Sequence, residues 1–106
     1  MPDARIILTT FSSTEKARQI GTALLERQLV ACLNLFPAGE SLYLWKGKIE
    51  KESETIAFIK PTKPLVSEVK EVLIQLHPYH VPEILVLEVE EGSESYLDWL
   101  RRSVKS

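Results

Sequence analysis

Cys32, His77, His80 and Glu83 offer one thiol, two imidazoles and one carboxylate, the side chains of this sequence best suited to holding a metal ion. Thiolate and imidazole donors favour zinc or copper over magnesium or calcium. The spacing His77-x-x-His80-x-x-Glu83 would line three donors along one helix face. Pro78 and Pro82 rule out a regular helix there, because each lacks an N–H and crowds the preceding turn. They also push His77 and Val81 towards extended geometry. Residues 77–84, HPYHVPEI, therefore read as a stiff extended connector. On an extended chain His77 and His80 point to roughly opposite sides, so a site that uses both needs a turn around Tyr79. The plainer reading of Cys32, within VACLNLF, is a buried core thiol. Neither a CxxC nor an HExxH pattern reinforces the metal reading.

A second group consists of Tyr43, Trp45, Lys60, Tyr79, Glu83 and Trp99, amphipathic or charged residues at strand or connector ends. Such residues line ligand clefts, here one between subunits. Alternatively the aromatics pack an oligomer interface. The four glycines, Gly21, Gly39, Gly47 and Gly92, are scattered and form no phosphate-binding loop. Catalysis is not expected. Ser12, Ser13 and Ser41 lack a G-x-S-x-G elbow. No spacing pairs Glu52, Glu54 and Glu83 as acid and base, and a strand cysteine is a poor partner for His77 as nucleophile and base.

The elements that must position these groups follow from periodicity. Arg5 to Phe11 reads as a buried strand. Ser12 and Glu15 fit a capping box that opens a helix with Ala17, Ile20, Leu24 and Leu25 on its apolar face. Gly21 in that helix predicts close backbone packing. Val30 to Phe36 reads as a strand and Pro37-Ala38-Gly39 as a bend or bulge. Ser41 to Trp45 continues extended, Lys46-Gly47 turns, and a return strand runs to Lys60. Pro64 suits the start of a second helix, with Leu65, Val66, Val69, Val72, Leu73 and Leu76 on one face. Beyond the connector, Leu85, Leu87 and Val89 alternate with Val86, Glu88 and Glu90, predicting a strand with one well-buried face. Ser93 is expected to cap a last helix that turns Tyr96, Leu97, Leu100 and Val104 inward.

The order β-α-β-β-α-β plus a C-terminal helix predicts an α+β, ferredoxin-like fold with both main helices on one sheet face and a long hairpin. Its 106 residues predict a single domain, 1–106. A chain this short buries only about two-thirds of its unfolded surface. Apolar Leu42, Tyr43, Leu44 and Trp45 at the hairpin tip add a reason to oligomerise. The net charge of −2 argues against a nucleic-acid partner. No apolar run approaches the roughly 20 residues that span a bilayer. A single cysteine and no signal-peptide pattern lead to a cytoplasmic expectation.

The segment HPYHVPEI resembles the HPYE-V-PEI signature of the CutA divalent-cation tolerance proteins. ALLERQLVACLNLFP, SLYLWKGKIE and the closing YLDWL resemble that family too, in the same order. His80 is the departure, standing where the family usually carries glutamate. The resemblance implies the same fold, a homotrimer packed around a threefold axis, and a divalent cation, particularly copper, as ligand. Cys32 matches the cysteine of the family's ACxN segment, while His77, Tyr79 and Glu83 match its HPYEVPE segment. An imidazole at His80 would shift preference towards copper, nickel or zinc and make binding fall off in acid. The family shares its trimeric architecture with the PII nitrogen-signalling proteins. A small anionic effector in an inter-subunit cleft, with Lys60 as countercharge, is therefore the alternative to a cation. A scaffold that presents its hairpins to a protein partner is the third expectation. A copper or zinc ion is the expected ligand, and folding is expected not to require it.

Overall fold

The computed structural model describes residues 2–106. Strand β1 (Arg5–Phe11) leads into helix α1 (Thr14–Glu26), followed by the long strands β2 (Cys32–Trp45) and β3 (Lys48–Lys60). A 3-10 turn at Lys63–Leu65 opens helix α2 (Val66–Leu76), and β4 (Ile84–Glu88) and α3 (Glu94–Arg102) complete the chain. The four strands form one antiparallel sheet in the order β2-β3-β1-β4. This is the ferredoxin-like α+β arrangement expected from the element order.

Helix α1 begins one residue later than the capping-box reading places it. Ser13, not Ser12, is the cap, and its hydroxyl accepts from the Lys16 backbone N–H at 3.1 Å. Lys16 thus occupies the position where a capping box needs a carboxylate or amide, so the reciprocal bond does not form. The helix ends with Gln28 at φ 57, a left-handed residue. Gln28 N–H bonds to the Leu25 carbonyl and Leu29 N–H to the Leu24 carbonyl. That wrap satisfies the last carbonyls and turns Leu29 and Val30 into the core, just before Cys32.

The core lies between the sheet and α1 and α2, with Ile7, Phe11, Ala57 and Ile59 from the strands against Ala17, Ile20, Leu24, Val69 and Leu73 from the helices. A Cβ at Gly21 would lie 3.1 Å from the Leu33 side chain, which is the close packing of α1 on β2 that a mid-helix glycine predicts.

The opposite sheet face is also apolar. Ile6 and Leu8 pair with Leu87 and Leu85, and Leu8 pairs with Phe58. Helix α3 approaches this face at its Cys32–Lys60 end through Tyr96, and the segment after α2 meets it at Glu54 through Tyr79. Leu85 is 52% exposed and Leu87 45%, so the well-buried face expected for the last strand is not formed. The alternation is present, but within one chain the helices cover the other side. Ser93 sits at the cap of α3 without a side-chain capping bond.

The β2–β3 hairpin turns at Lys46 and Gly47, both at positive φ, the pair of values a two-residue hairpin turn requires. Leu44, Trp45 and Ile49 at its tip are 72%, 60% and 77% exposed. Pro37 and Ala38 form an irregularity between Phe36 and Gly39, and pairing resumes at Gly39 with Glu54. A Cβ at Gly39 would stand 2.7 Å from Ile56 Cδ1 and 3.0 Å from the Glu54 carbonyl oxygen. Gly39→Ala is therefore expected to cost about 1–3 kcal/mol by overpacking. The check is a lower urea midpoint at unchanged m.

Candidate functional site

Pro78 stops α2, so His77 closes the helix in an extended conformation (φ −68°, ψ 133°) with its own N–H on the Leu73 carbonyl. Its ring turns inward and is 7% exposed, stacked on Phe11 at 4.8 Å. Ring Nε2 lies 2.8 Å from the Thr10 carbonyl oxygen, and Nδ1 accepts the Tyr79 backbone N–H at 3.1 Å. A carbonyl can only accept and an amide N–H can only donate, so Nε2 carries the proton and Nδ1 is bare. The ring is a neutral imidazole with both nitrogens engaged, and neither is free for a metal.

Two residues on, Tyr79 donates its hydroxyl to Glu54 Oε2 at 2.6 Å. Glu54 is 8% exposed. Burial pushes its carboxyl up, but hydrogen bonds from Ser41, Tyr79 and Thr10, aided by His77, outweigh that and hold it below the usual range. Burial lowers the pKa of His77, against the bond to Thr10 and the charge of Glu54, which raise it. The Tyr79 phenol is pushed up by burial and by its bond to Glu54. Across the hairpin Tyr43 donates to Glu52, and that bond heads the causes pushing its phenol up to about 12.

These groups border an open cleft of about 600 Å³ whose polar lining includes Tyr43, Glu52, Glu54, Tyr79 and Glu83. Three carboxylates give this cleft of the single chain a negative field, which suits a cation better than an anion. Lys60, the expected countercharge of an anionic effector, is elsewhere. From Glu54 to Lys60 along β3 is about 20 Å at the usual rise per residue. There Lys60 Nζ donates to the Tyr96 hydroxyl at 3.3 Å, Cys32 Sγ lies 3.5 Å from the same oxygen, and Trp99 packs on the Tyr96 ring. Trp45 stands apart from both, at the hairpin tip with the Lys46 ammonium over its ring.

The expected metal donors are likewise spread out. His80 and Glu83 are exposed on the connector, His77 is buried beneath it, and Cys32 sits with Tyr96 at the other end of β3. Among the described residues, no three or more His, Cys, Asp or Glu side chains come together as a metal-holding group. The connector does turn at Tyr79, but it sends one imidazole inward and the other outward. Sequence reasoning passed over Glu54 as a partner of Tyr79. Its position in step with Ile56 and Phe58 on one strand face was the available signal, since a carboxylate in an apolar row needs donors.

The sequence profile described as "CutA1 divalent ion tolerance protein" matches residues 5–103. The chain belongs to the CutA1 divalent ion tolerance family. The divalent-cation tolerance protein CutA of Thermotoga maritima is 43% identical over 99 residues, covering 93% of this chain and 97% of that one. The solved structure of the divalent cation tolerance protein (Cut A1) from Thermus thermophilus is 40% identical with a TM-score of 0.90, covering 96% of this chain and 99% of that one. A structure described as the periplasmic divalent cation tolerance protein CutA from Archaeoglobus fulgidus shares 34% identity at a TM-score of 0.90, with 96% and 99% covered. Among the described residues, no helix is long and apolar enough to cross a membrane.

Within this CutA1 chain the connector is anchored by Tyr79 on a nearly buried carboxylate. Tyr79→Phe removes a hydrogen bond to a charged group and is expected to cost about 1.5–3 kcal/mol at neutral pH. Tyr43→Phe, at an exposed pair, should change stability little. Denaturant titrations of both variants check the contrast.

Proposed function

We propose that this chain serves divalent-cation tolerance as a cytoplasmic homotrimer that binds a copper- or zinc-type cation reversibly, without turnover. The observation that carries this reading is the division of labour along the connector. His77 and Tyr79 are tied to the sheet, and this leaves the His80 imidazole and the Glu83 carboxylate outward on a rigid support. An imidazole with a carboxylate suits zinc or copper, and a fixed backbone lowers the ordering cost of ligation. Cys32 lies too far along the sheet to join them within one chain, so it contributes only where a neighbouring subunit presents it. A second subunit or solvent completes the coordination. The cation is a ligand of the folded protein, because the apolar core between sheet and helices closes on its own side chains.

Trimer formation is supported by the uncovered apolar sheet face and by the hairpin tip, with Leu42, Leu44, Trp45 and Ile49 exposed. The threefold count rests on the family resemblance. The negative cleft favours the cation over the anionic effector. The cytoplasmic placement is supported by the unpaired thiol of Cys32.

Native mass spectrometry of the tag-free protein, with and without copper and zinc, tests the proposal. A trimer that gains a stoichiometric ion is expected. The double variant His80→Ala/Glu83→Gln should lose at least about tenfold in affinity, equivalent to about 1.4 kcal/mol. Affinity unchanged in that variant would exclude the connector as the site. Cys32→Ser read separately reports whether the thiol is shared across subunits. A bare trimer carrying only nonspecific metal would favour the scaffold reading. Independently, Trp45→Glu should weaken the oligomer, and an unaltered mass in solution would contradict the role given to the hairpin.

A further inference from the structure

One buried imidazole holds the connector to two strands at once. From β1, the Thr10 carbonyl receives its Nε2–H and the Phe11 ring stacks on its face. On the connector, its Nδ1 receives the Tyr79 N–H, and the Tyr79 ring tilts against it at 4.8 Å. Tyr79 then reaches β3 through Glu54. The Nδ1 bond to the Tyr79 N–H requires the neutral Nε2–H form, whereas the Nε2–H bond to the Thr10 carbonyl persists in the imidazolium. A proton added at Nδ1 would point an N–H at the Tyr79 N–H and replace an attraction with a repulsion.

We propose that His77 is a pH-sensitive latch, whose protonation releases the Tyr79 backbone amide and loosens the connector beside Glu54. The charged and titratable groups around it set the direction. Glu54 on β3 is the carboxylate that acts on His77, and Tyr79 is the titratable group in contact with it. Its contacts on β1 are the Thr10 carbonyl and the Phe11 ring, and α2 supplies the Leu73 carbonyl to its backbone N–H. Glu52 and Tyr43 act one step further out, on Tyr79. The Glu54 charge favours the imidazolium, but burial of the ring opposes it more strongly.

The native pKa of His77 lies below the ordinary histidine value of about 6.5, so the closed, neutral form keeps its full advantage above that value. The advantage shrinks as the pH falls from about 6.5 towards the lower native pKa. Glu54 is shifted downward and stays ionised while this happens, so the loss in that window belongs to the imidazole. The latch does not depend on cation binding, and it is read in the metal-free protein.

The test is NMR of the full-length protein across about pH 8 to 4.5, following the His77 ring nitrogens and the hydrogen-exchange protection of backbone amides. At neutral pH His77 should show a protonated Nε2 and a bare Nδ1. On acidification its conversion to the doubly protonated ring should coincide with at least a tenfold fall in the protection factor of the Tyr79 amide. Amides in the centres of β1 and β3 should keep theirs. His77→Gln should give a Tyr79 protection factor independent of pH over that range.

Glu54→Gln offers a second reading should His77→Gln fail to fold. It retains an acceptor for Tyr79 but removes the charge that favours the imidazolium, so opening should move to lower pH. The proposal is overturned if His77 gains its second proton while Tyr79 stays protected. Opening without protonation of His77, or a midpoint unmoved or raised in Glu54→Gln, overturns it equally.

Discussion

A neutral imidazole bound between a carbonyl and an amide fixes the geometry of everything around the cleft. His77 can serve both the Thr10 carbonyl and the Tyr79 amide only as its Nε2–H tautomer. The position of Tyr79 follows from that bond, and the direction of its phenol follows from Glu54, a carboxylate that burial would penalise without donors. Pro78 makes the arrangement reachable, since it ends α2 at the point where the ring must turn under the chain. The irregularity at Pro37 and Ala38 acts from the other side. It resets β2 so that Gly39 lies opposite Glu54, where a larger residue would collide with Ile56 and the Glu54 carbonyl. Helix end, strand irregularity and buried carboxylate are thus parts of one constraint.

The sheet is apolar on both faces, yet α1 and α2 cover one. On the covered side, core residues such as Ile7 and Ile59 are fully buried, and each contributes on the order of 1.5–3 kcal/mol relative to exposure. On the other side, Leu85, Leu87 and Phe36 remain about half exposed. An exposed surface this apolar is one whose burial against another chain would be favourable. The exposed tip of the hairpin extends that surface beyond the body of the domain.

Element types and order are legible in the sequence because periodicity and proline placement state them directly. The β2–β3 hairpin, the Lys46-Gly47 turn and the helix ending before Pro78 all follow from local rules. The start of α1 differs by one residue because Ser12 and Ser13 are both competent caps, and only the backbone geometry separates them. The last strand differs for another reason. Alternation reveals which residues share a face, but not whether a helix or another subunit covers that face. The site is the least legible part. Tyr79 and Glu54 are 25 residues apart, and their contact exists only through the tertiary fold. His77 and His80 look equivalent in HPYHVPEI, and only the turn at Tyr79 makes one structural and the other exposed.

That inequality bears on the departure at His80. A glutamate at residue 80 would place a second carboxylate close to Glu83 on an exposed connector, beside a cleft already bearing Glu52 and Glu54. An imidazole there removes one negative charge and substitutes a softer donor, so the electrostatic attraction for any cation falls while the preference for imidazole-binding metals rises. His77 can undergo no comparable exchange, because the position needs a donor on one side and an acceptor on the other at fixed distances. Variation at residue 80 is thus structurally inexpensive and chemically consequential. At residue 77 the same substitution would dismantle the support beneath the exposed side chains of His80 and Glu83.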